Sequence, residues 1–139
     1  MGGTPKQAIL TMGYLLDTNV VINYLNASLP VAGMQFLDAI VDDEPIISLI
    51  TKMETLGFNF KSAEEQAITE TFANGCSILD LNENIVNTTI GIRKNKKMKL
   101  PDAIIAATAL VYDLTLITRN TSDFKNMEGL KVINPFDLS

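Results

Sequence analysis

The chain contains no histidine, and that absence removes a large part of hydrolytic chemistry. Imidazole-based catalytic triads and Cys/His zinc clusters are excluded together. A single cysteine, Cys76, excludes an intrachain disulfide. Proline and glycine are sparse, 5 and 8 among 139 residues of which 47% are hydrophobic. That balance builds a core and gives disorder no support. No apolar run reaches the roughly 18 residues that a membrane span requires. The most apolar stretch, Ala103 to Ile117, is broken by Thr108, Tyr112, Asp113 and Thr115, so the chain is expected not to span a membrane. Cations are also scarce, 11 Lys and Arg against 16 Asp and Glu, for a net charge of −5. A general electrostatic footprint for duplex DNA is therefore missing.

What is present is regular alternation. The length suits one domain. Residues 1–11 lack the hydrophobic stretch of a signal peptide and read as an N-terminal extension or expression remnant, with the domain over residues 12–139. Tyr14 to Leu16 reads as a strand, and Val20, Val21, Tyr24 and Leu25 then recur at helical spacing. Pro30 opens a second helix. Its stripe of Met34, Phe36, Leu37, Ile40 and Val41 serves the core first, with any remainder available to an interface. Ile46, Ile47, Leu49 and Ile50 suit an inner strand buried on both faces, followed by a helix over Thr51 to Leu56. Ser62 with Glu65 forms a capping box before a helix from Ala63 to Phe72 that stops at Gly75. Further strands are expected over Ser77 to Leu81, Leu114 to Thr118 and Lys131 to Ile133, with helices over Asn84 to Arg93 and Pro101 to Tyr112. Short strands alternating with longer helices predict an α/β fold, a three-layer α/β/α sandwich with a mainly parallel central sheet. Ligands in such sheets bind at the C-terminal ends of the strands.

Acidic residues fall at those ends. Asp17 closes the first strand, Glu54 lies one turn into the helix after the second, Asp102 is in the first turn of the strong helix, and Asp123 follows the fourth strand. Each has a local explanation: Asp17 as a helix cap, Asp102 as a partner of the helix dipole, Asp123 as a turn cap. Glu54 is different, because Met53, Leu56 and Phe58 suggest a packed segment in which a carboxylate needs a partner. Carboxylates brought together repel unless a proton or cation intervenes, and hard Mg²⁺ or Mn²⁺ ions prefer such oxygen donors. Metal-assisted phosphodiester hydrolysis needs no protein nucleophile and no histidine. One charge run stands apart from the acidic average. Arg93, Lys94, Lys96, Lys97 and Lys99 directly precede Leu100-Pro101-Asp102 and can hold a polyanion, although a solvated helix end has the same composition.

Three strings now acquire a context: Leu16-Asp17-Thr18-Asn19, the segment Lys99-Leu100-Pro101-Asp102-Ala103-Ile104-Ile105-Ala106-Ala107-Thr108-Ala109, and Leu116-Ile117-Thr118-Arg119-Asn120-Thr121-Ser122-Asp123-Phe124. In this order and spacing they resemble PIN-domain proteins, in particular the toxin ribonucleases of VapBC toxin–antitoxin pairs, over nearly the whole chain from Met12. The resemblance implies a PIN-like nuclease domain that binds one or two Mg²⁺ or Mn²⁺ ions and cuts RNA. By motif it implies Asp17, Glu54 and Asp102 as acidic metal ligands and catalytic residues. Asn120 and Asp123 both match the last position, and Asp123 is preferred with Asn120 in support. Thr18, Asn19, Ser48 and Thr118 match polar positions beside the pocket, and Arg93, Lys94, Lys96, Lys97 and Lys99 are assigned to RNA phosphates. The resemblance also implies a homodimer, a cognate antitoxin and a cytoplasmic location.

Competing readings carry their own requirements. A Mg²⁺-dependent phosphatase or phosphoryl-transfer protein would use an Asp-x-Asp pair, which Thr18 and Asn19 interrupt. A receiver-like module needs an acidic pair at the first strand and a lysine near the last, whereas Arg119 and Asn120 follow the fourth strand. A PIN-like fold that only binds RNA or protein is the remaining alternative.

Overall fold

The computed structural model describes residues 13–139, so the assignment of residues 1–11 as an extension lies outside the described residues. Five short strands, β1 (Tyr14–Leu16), β2 (Ile46–Ser48), β3 (Ser77–Leu79), β4 (Thr115–Ile117) and β5 (Lys131–Ile133), form one sheet in the order β3-β2-β1-β4-β5, with every pairing parallel. The helices are α1 (Thr18–Leu25), α2 (Val31–Asp43), α3 (Leu49–Leu56), α4 (Ala63–Asn74), α5 (Glu83–Asn95), α6 (Leu100–Val111) and the short α7 (Thr121–Phe124).

Period-two alternation divides the core. Leu16, Ile47 and Ile117 pack with Val20 and Val21 of α1 and Leu37 and Ile40 of α2. Their neighbours Leu15, Ile46 and Leu116 point the other way, onto Ile105, Ala106 and Ala109 of α6 and Phe124 of α7. The result is the expected three-layer sandwich. Both strand faces being covered explains why these strands read as unbroken apolar runs. Met34 and Phe36 pack against the first cluster, so the α2 stripe serves the core. Gly33 permits this closeness, since a Cβ there would collide with the carbonyl oxygen of Pro135.

The chain runs outward from β1 to β2 and β3, then returns to lay β4 and β5 on the opposite side of β1. The strand order therefore reverses between β1 and β4, and a crevice opens beyond their C-terminal ends. The Asp17 N–H donates to Ile117 O at 3.0 Å, which stitches the two strands at that point.

Several boundaries differ from expectation. Leu49 and Ile50 belong to α3 and not to β2, because the Ser48 side chain accepts the N–H of Thr51 at 3.1 Å and starts the helix there. β3 stops at Leu79, short of Leu81. Asn82 caps α5 through the Ile85 N–H at 2.8 Å, so that helix starts at Glu83 and runs on to Asn95. Four-residue α7 is too short to leave a periodic signal.

Candidate functional site

Asp17 sits at the switch point between β1 and β4 and is buried. Its Oδ1 accepts the N–H of Thr18 at 2.8 Å, so the helix-capping role is real. Its Oδ2 accepts the hydroxyl of buried Thr118 at 2.7 Å, across 101 residues of sequence. Thr118 is fixed in turn, accepting the Asn120 N–H at 3.0 Å through Oγ1 and donating its own N–H to Ile133 O. Burial pushes the Asp17 carboxyl above its ordinary range; the Thr118 and Thr18 bonds oppose that shift, and the charges of Asp102 and Glu54 add to it.

Half-buried Asp102 occupies the first turn of α6, behind Lys99 and Pro101. Its carboxyl is likewise raised, first by burial and then by the charges of Asp123 and Glu54, with Lys99 pulling it down. Glu54, on α3, corrects one expectation. It is exposed, as are Met53 on the same helix and Phe58 beyond it, because α3 turns Thr51 and Thr55 inward and Lys52 to Glu54 outward. Glu54 is held by a different device, accepting the Thr18 hydroxyl at Oε1 over 2.7 Å. Asn120 and Asp123 prove not to be alternatives, since the Asn120 side-chain amide donates to Asp123 Oδ2.

A cleft of about 490 Å³ brings Asn19, Glu54, Asp102, Asn120 and Asp123 together, with Lys97, Met98, Lys99 and Pro101 on its wall. Ser48 is outside this lining, buried at the N-terminus of α3. The basic run divides. Lys97 and Lys99 reach the cleft, while Arg93 and Lys94 line an adjacent groove of about 480 Å³ with Thr89, Ile90 and Leu100. Lys97 borders both, and the Lys96 ammonium donates to Lys125 O at 3.1 Å. The split follows from α5 ending at Asn95: Arg93 and Lys94 ride its last turn, and the lysines beyond occupy the link to α6.

Among the described residues, no three His, Cys, Asp or Glu side chains stand as a group that could hold a metal ion. The donor chemistry nevertheless suits a hard cation: oxygen atoms only, with the charged forms of Asp17 and Asp102 disfavoured first by burial and then by neighbouring carboxylates. Like charges without a counterion favour separation, and the bonds Thr18–Glu54 and Asn120–Asp123 hold the two exposed carboxylates on separate partners. Thr51 was not anticipated. It is wholly buried, with its hydroxyl 3.0 Å from Thr18 Oγ1 and 3.3 Å from Ser48 Oγ. The available signal was a threonine one helical turn before Glu54.

The PIN domain model matches residues 14–130, and the chain belongs to the PIN-domain toxin family. Among its members, this chain is closely related to the toxins of the VapC and FitAB type. It is similar to a chain of a toxin–antitoxin complex from Klebsiella pneumoniae, at 35% identity and a TM-score of 0.71, covering 91% of this chain and 100% of that one. It is also similar to a chain of FitAcB from Neisseria gonorrhoeae, at 28% identity and TM-score 0.68, covering 90% and 99%. A chain of VapBC2 from Rickettsia felis, solved with a promoter DNA fragment, shares the fold at 23% identity and TM-score 0.76, covering 88% and 98%. No curated protein sequence matches the chain.

Proposed function

We propose that this protein is a metal-dependent endoribonuclease, hydrolysing phosphodiester bonds in RNA, and that it acts in the cytoplasm as the toxin of a toxin–antitoxin pair. The observation that carries the reading is the convergence of carboxylates from four separate segments at the β1/β4 switch point, three of them lining one cleft. Asp17, Glu54, Asp102 and Asp123 would hold Mg²⁺ or Mn²⁺, with Asn120 beside Asp123. When bound, the ion supplies Lewis-acid stabilisation of phosphoryl charge and makes water a better nucleophile.

The chain's own groups have definable tasks. Thr118 and the Thr18 N–H keep both Asp17 oxygens oriented, and the Thr18 hydroxyl orients Glu54. Lys97 and Lys99 place cations beside a pocket whose negative charge would repel a phosphate backbone. Asn19 at the cleft edge offers an amide to the substrate. Arg93, Lys94 and Lys96 continue the cationic surface outward, where a longer strand would pass.

Two protein partners belong to the same reading. An antitoxin segment fits a separate groove of about 540 Å³ between α1 and α4, where Ile22, Leu25, Phe58, Phe60 and Ile68 present apolar surface. A second copy of the chain fits the face of α5 and α6 that exposes Val86 and Tyr112, outside the groove assigned to RNA. The similarity to a chain of the Klebsiella pneumoniae toxin–antitoxin complex supports the antitoxin.

The test is cleavage of a mixed pool of bacterial transfer and ribosomal RNA by purified protein with Mg²⁺ or Mn²⁺, beside chelator and Asp102→Asn controls. Discrete metal-dependent cuts that vanish in the variant are expected. Equal cutting by Asp102→Asn overturns the mechanism. RNA binding without cutting by metal-loaded protein moves the assignment to a binding module.

A further inference from the structure

The buried threonines of this fold divide by where their hydroxyl protons go. Thr69, Thr89 and Thr108 each donate to the carbonyl four residues earlier, at 2.9, 2.7 and 2.7 Å, an ordinary way to satisfy a hydroxyl inside a helix. Thr51 does not. Its hydroxyl lies between two others, Ser48 Oγ at 3.3 Å and Thr18 Oγ1 at 3.0 Å, and Thr18 contacts Glu54 Oε1 at 2.7 Å.

Proton counting gives this chain of groups a direction. Each hydroxyl has one proton, and an ionised Glu54 has none to give. Thr18 must therefore donate to Glu54. Thr51 must then donate to Thr18, because Thr18 has no proton left for it. Ser48 in turn donates to Thr51, while its oxygen accepts the Thr51 N–H at 3.1 Å and caps α3. The three hydroxyls thus point their protons one way, from the buried end of β2 to an exposed carboxylate.

We propose that Thr51 is a positioning residue for Glu54, fixing the Thr18 rotamer so that its hydroxyl always faces the carboxylate. The inference rests on the metal-dependent reading for its relevance to activity, but the hydrogen-bond relay is a property of the metal-free chain. Without the Thr51 proton, Thr18 Oγ1 loses the donor that fixes its orientation, and Glu54 is freed to rotate into solvent. Burial makes the arrangement robust, since Thr51 and Ser48 are 0% and 1% exposed and exchange no hydrogen bonds with bulk water.

Thr51→Val keeps the shape and removes only the hydroxyl; Thr51→Ser keeps the hydroxyl. Two readouts decide. The first is the carbon-13 signal of the Glu54 carboxyl in metal-free protein, assigned with Glu54→Gln. Thr51→Val should move it toward its position in Thr18→Val, and Thr51→Ser should leave it near wild type. The second is Mn²⁺ binding by calorimetry, expected to weaken about tenfold in Thr51→Val and to recover in Thr51→Ser, with Thr18→Val/Thr51→Val no weaker than Thr18→Val alone. An unmoved Glu54 signal in folded Thr51→Val overturns the inference, as does a Thr51→Ser variant as impaired as the valine. Absence of Mn²⁺ binding by wild type overturns the metal-dependent reading instead, and the carboxyl signal alone then decides for or against Thr51.

Discussion

Asp17 and Glu54 carry the same functional group into the same region, yet the protein holds them by opposite means. Asp17 is buried at a strand end, and both of its oxygens have fixed partners contributed by β1–α1 and by the residue after β4. Glu54 is on an exposed helical surface with one hydroxyl partner, and Asp123 is exposed with one amide partner. The inner half of the site is organised by the sheet and costs desolvation whether or not anything binds. The outer half is exposed and is held by one side-chain contact per carboxylate. Substitutions of the inner groups should therefore damage cleavage far more than affinity for RNA, and substitutions of the cationic wall of the cleft, Lys97 and Lys99, should do the reverse.

The sharpest way to break that contrast is Thr118→Val. The change is nearly isosteric, and it removes the donor to Asp17 Oδ2 and the acceptor of the Asn120 N–H together. Cleavage rate should fall by about 10–100-fold, the usual cost of losing a group that orients a ligand. RNA affinity should change little. If rate and affinity fall equally, the inner half is not specialised in the way described.

The outer half is probed by reversing Lys97 and Lys99 to glutamate. Both line the cleft, and Lys99 lies close enough to Asp102 for its charge to lower that carboxyl. RNA binding should weaken by about tenfold at low salt, and each lost phosphate contact should reduce the salt slope by about 0.7 on a single strand. Reversing Arg93 and Lys94, which face the neighbouring groove, should have a smaller effect on short substrates. Binding curves at several salt concentrations separate these outcomes, and an unchanged slope in the Lys97/Lys99 variant would remove the pair from the RNA path.

Protons offer a third comparison. Asp17 and Asp102 have folded-state pKa values raised above the ordinary value of 3.8, chiefly by burial. Between that value and the raised one, the folded chain binds more protons than the unfolded chain. The stability this provides is fully present below the ordinary carboxylate pKa and is lost as pH rises through the raised values. Metal-free protein should thus melt at lower temperature toward neutral pH, and added Mn²⁺ should reverse the loss. Asp102→Asn should flatten the profile and melt a few degrees above wild type at neutral pH without metal, while remaining inactive. A profile that superimposes on wild type would place the penalty elsewhere.

How far the sequence reveals this site follows the same division. β1, β2 and β4 are legible because strands covered on both faces must be apolar, and Asp17 is conspicuous as the charge that ends such a run. Leu49 and Ile50 mislead for the same reason: an apolar run does not show where strand yields to helix, and the Ser48 cap that decides it is a matter of backbone geometry. Glu54 is legible from its place in the pattern but not from packing, because Met53 and Phe58 are apolar and exposed. Thr51 is not legible in the sequence, because a helical threonine usually bonds its own backbone and only the approach of α1 to α3 gives it another hydroxyl. The division of the basic run depends on where α5 ends, a boundary that composition alone places within a few residues at best.

The smallest expected effect lies at Ser62, whose side chain accepts the Glu65 N–H at 3.1 Å and caps α4. Ser62→Ala should cost about 1 kcal/mol, a fall in melting temperature of about 3 °C in a domain of this size. Ser62 also borders the apolar groove, but it has no contact with the carboxylates, so RNA cleavage at a temperature well below melting should be unchanged. Ser48→Ala provides the contrast. It removes a helix cap of the same kind, and with it the first donor of the hydroxyl relay to Glu54. Equal losses of stability with unequal losses of cleavage would show that two chemically identical caps differ only in what stands behind them; equal effects on both properties would show that Ser48 is a cap and nothing more.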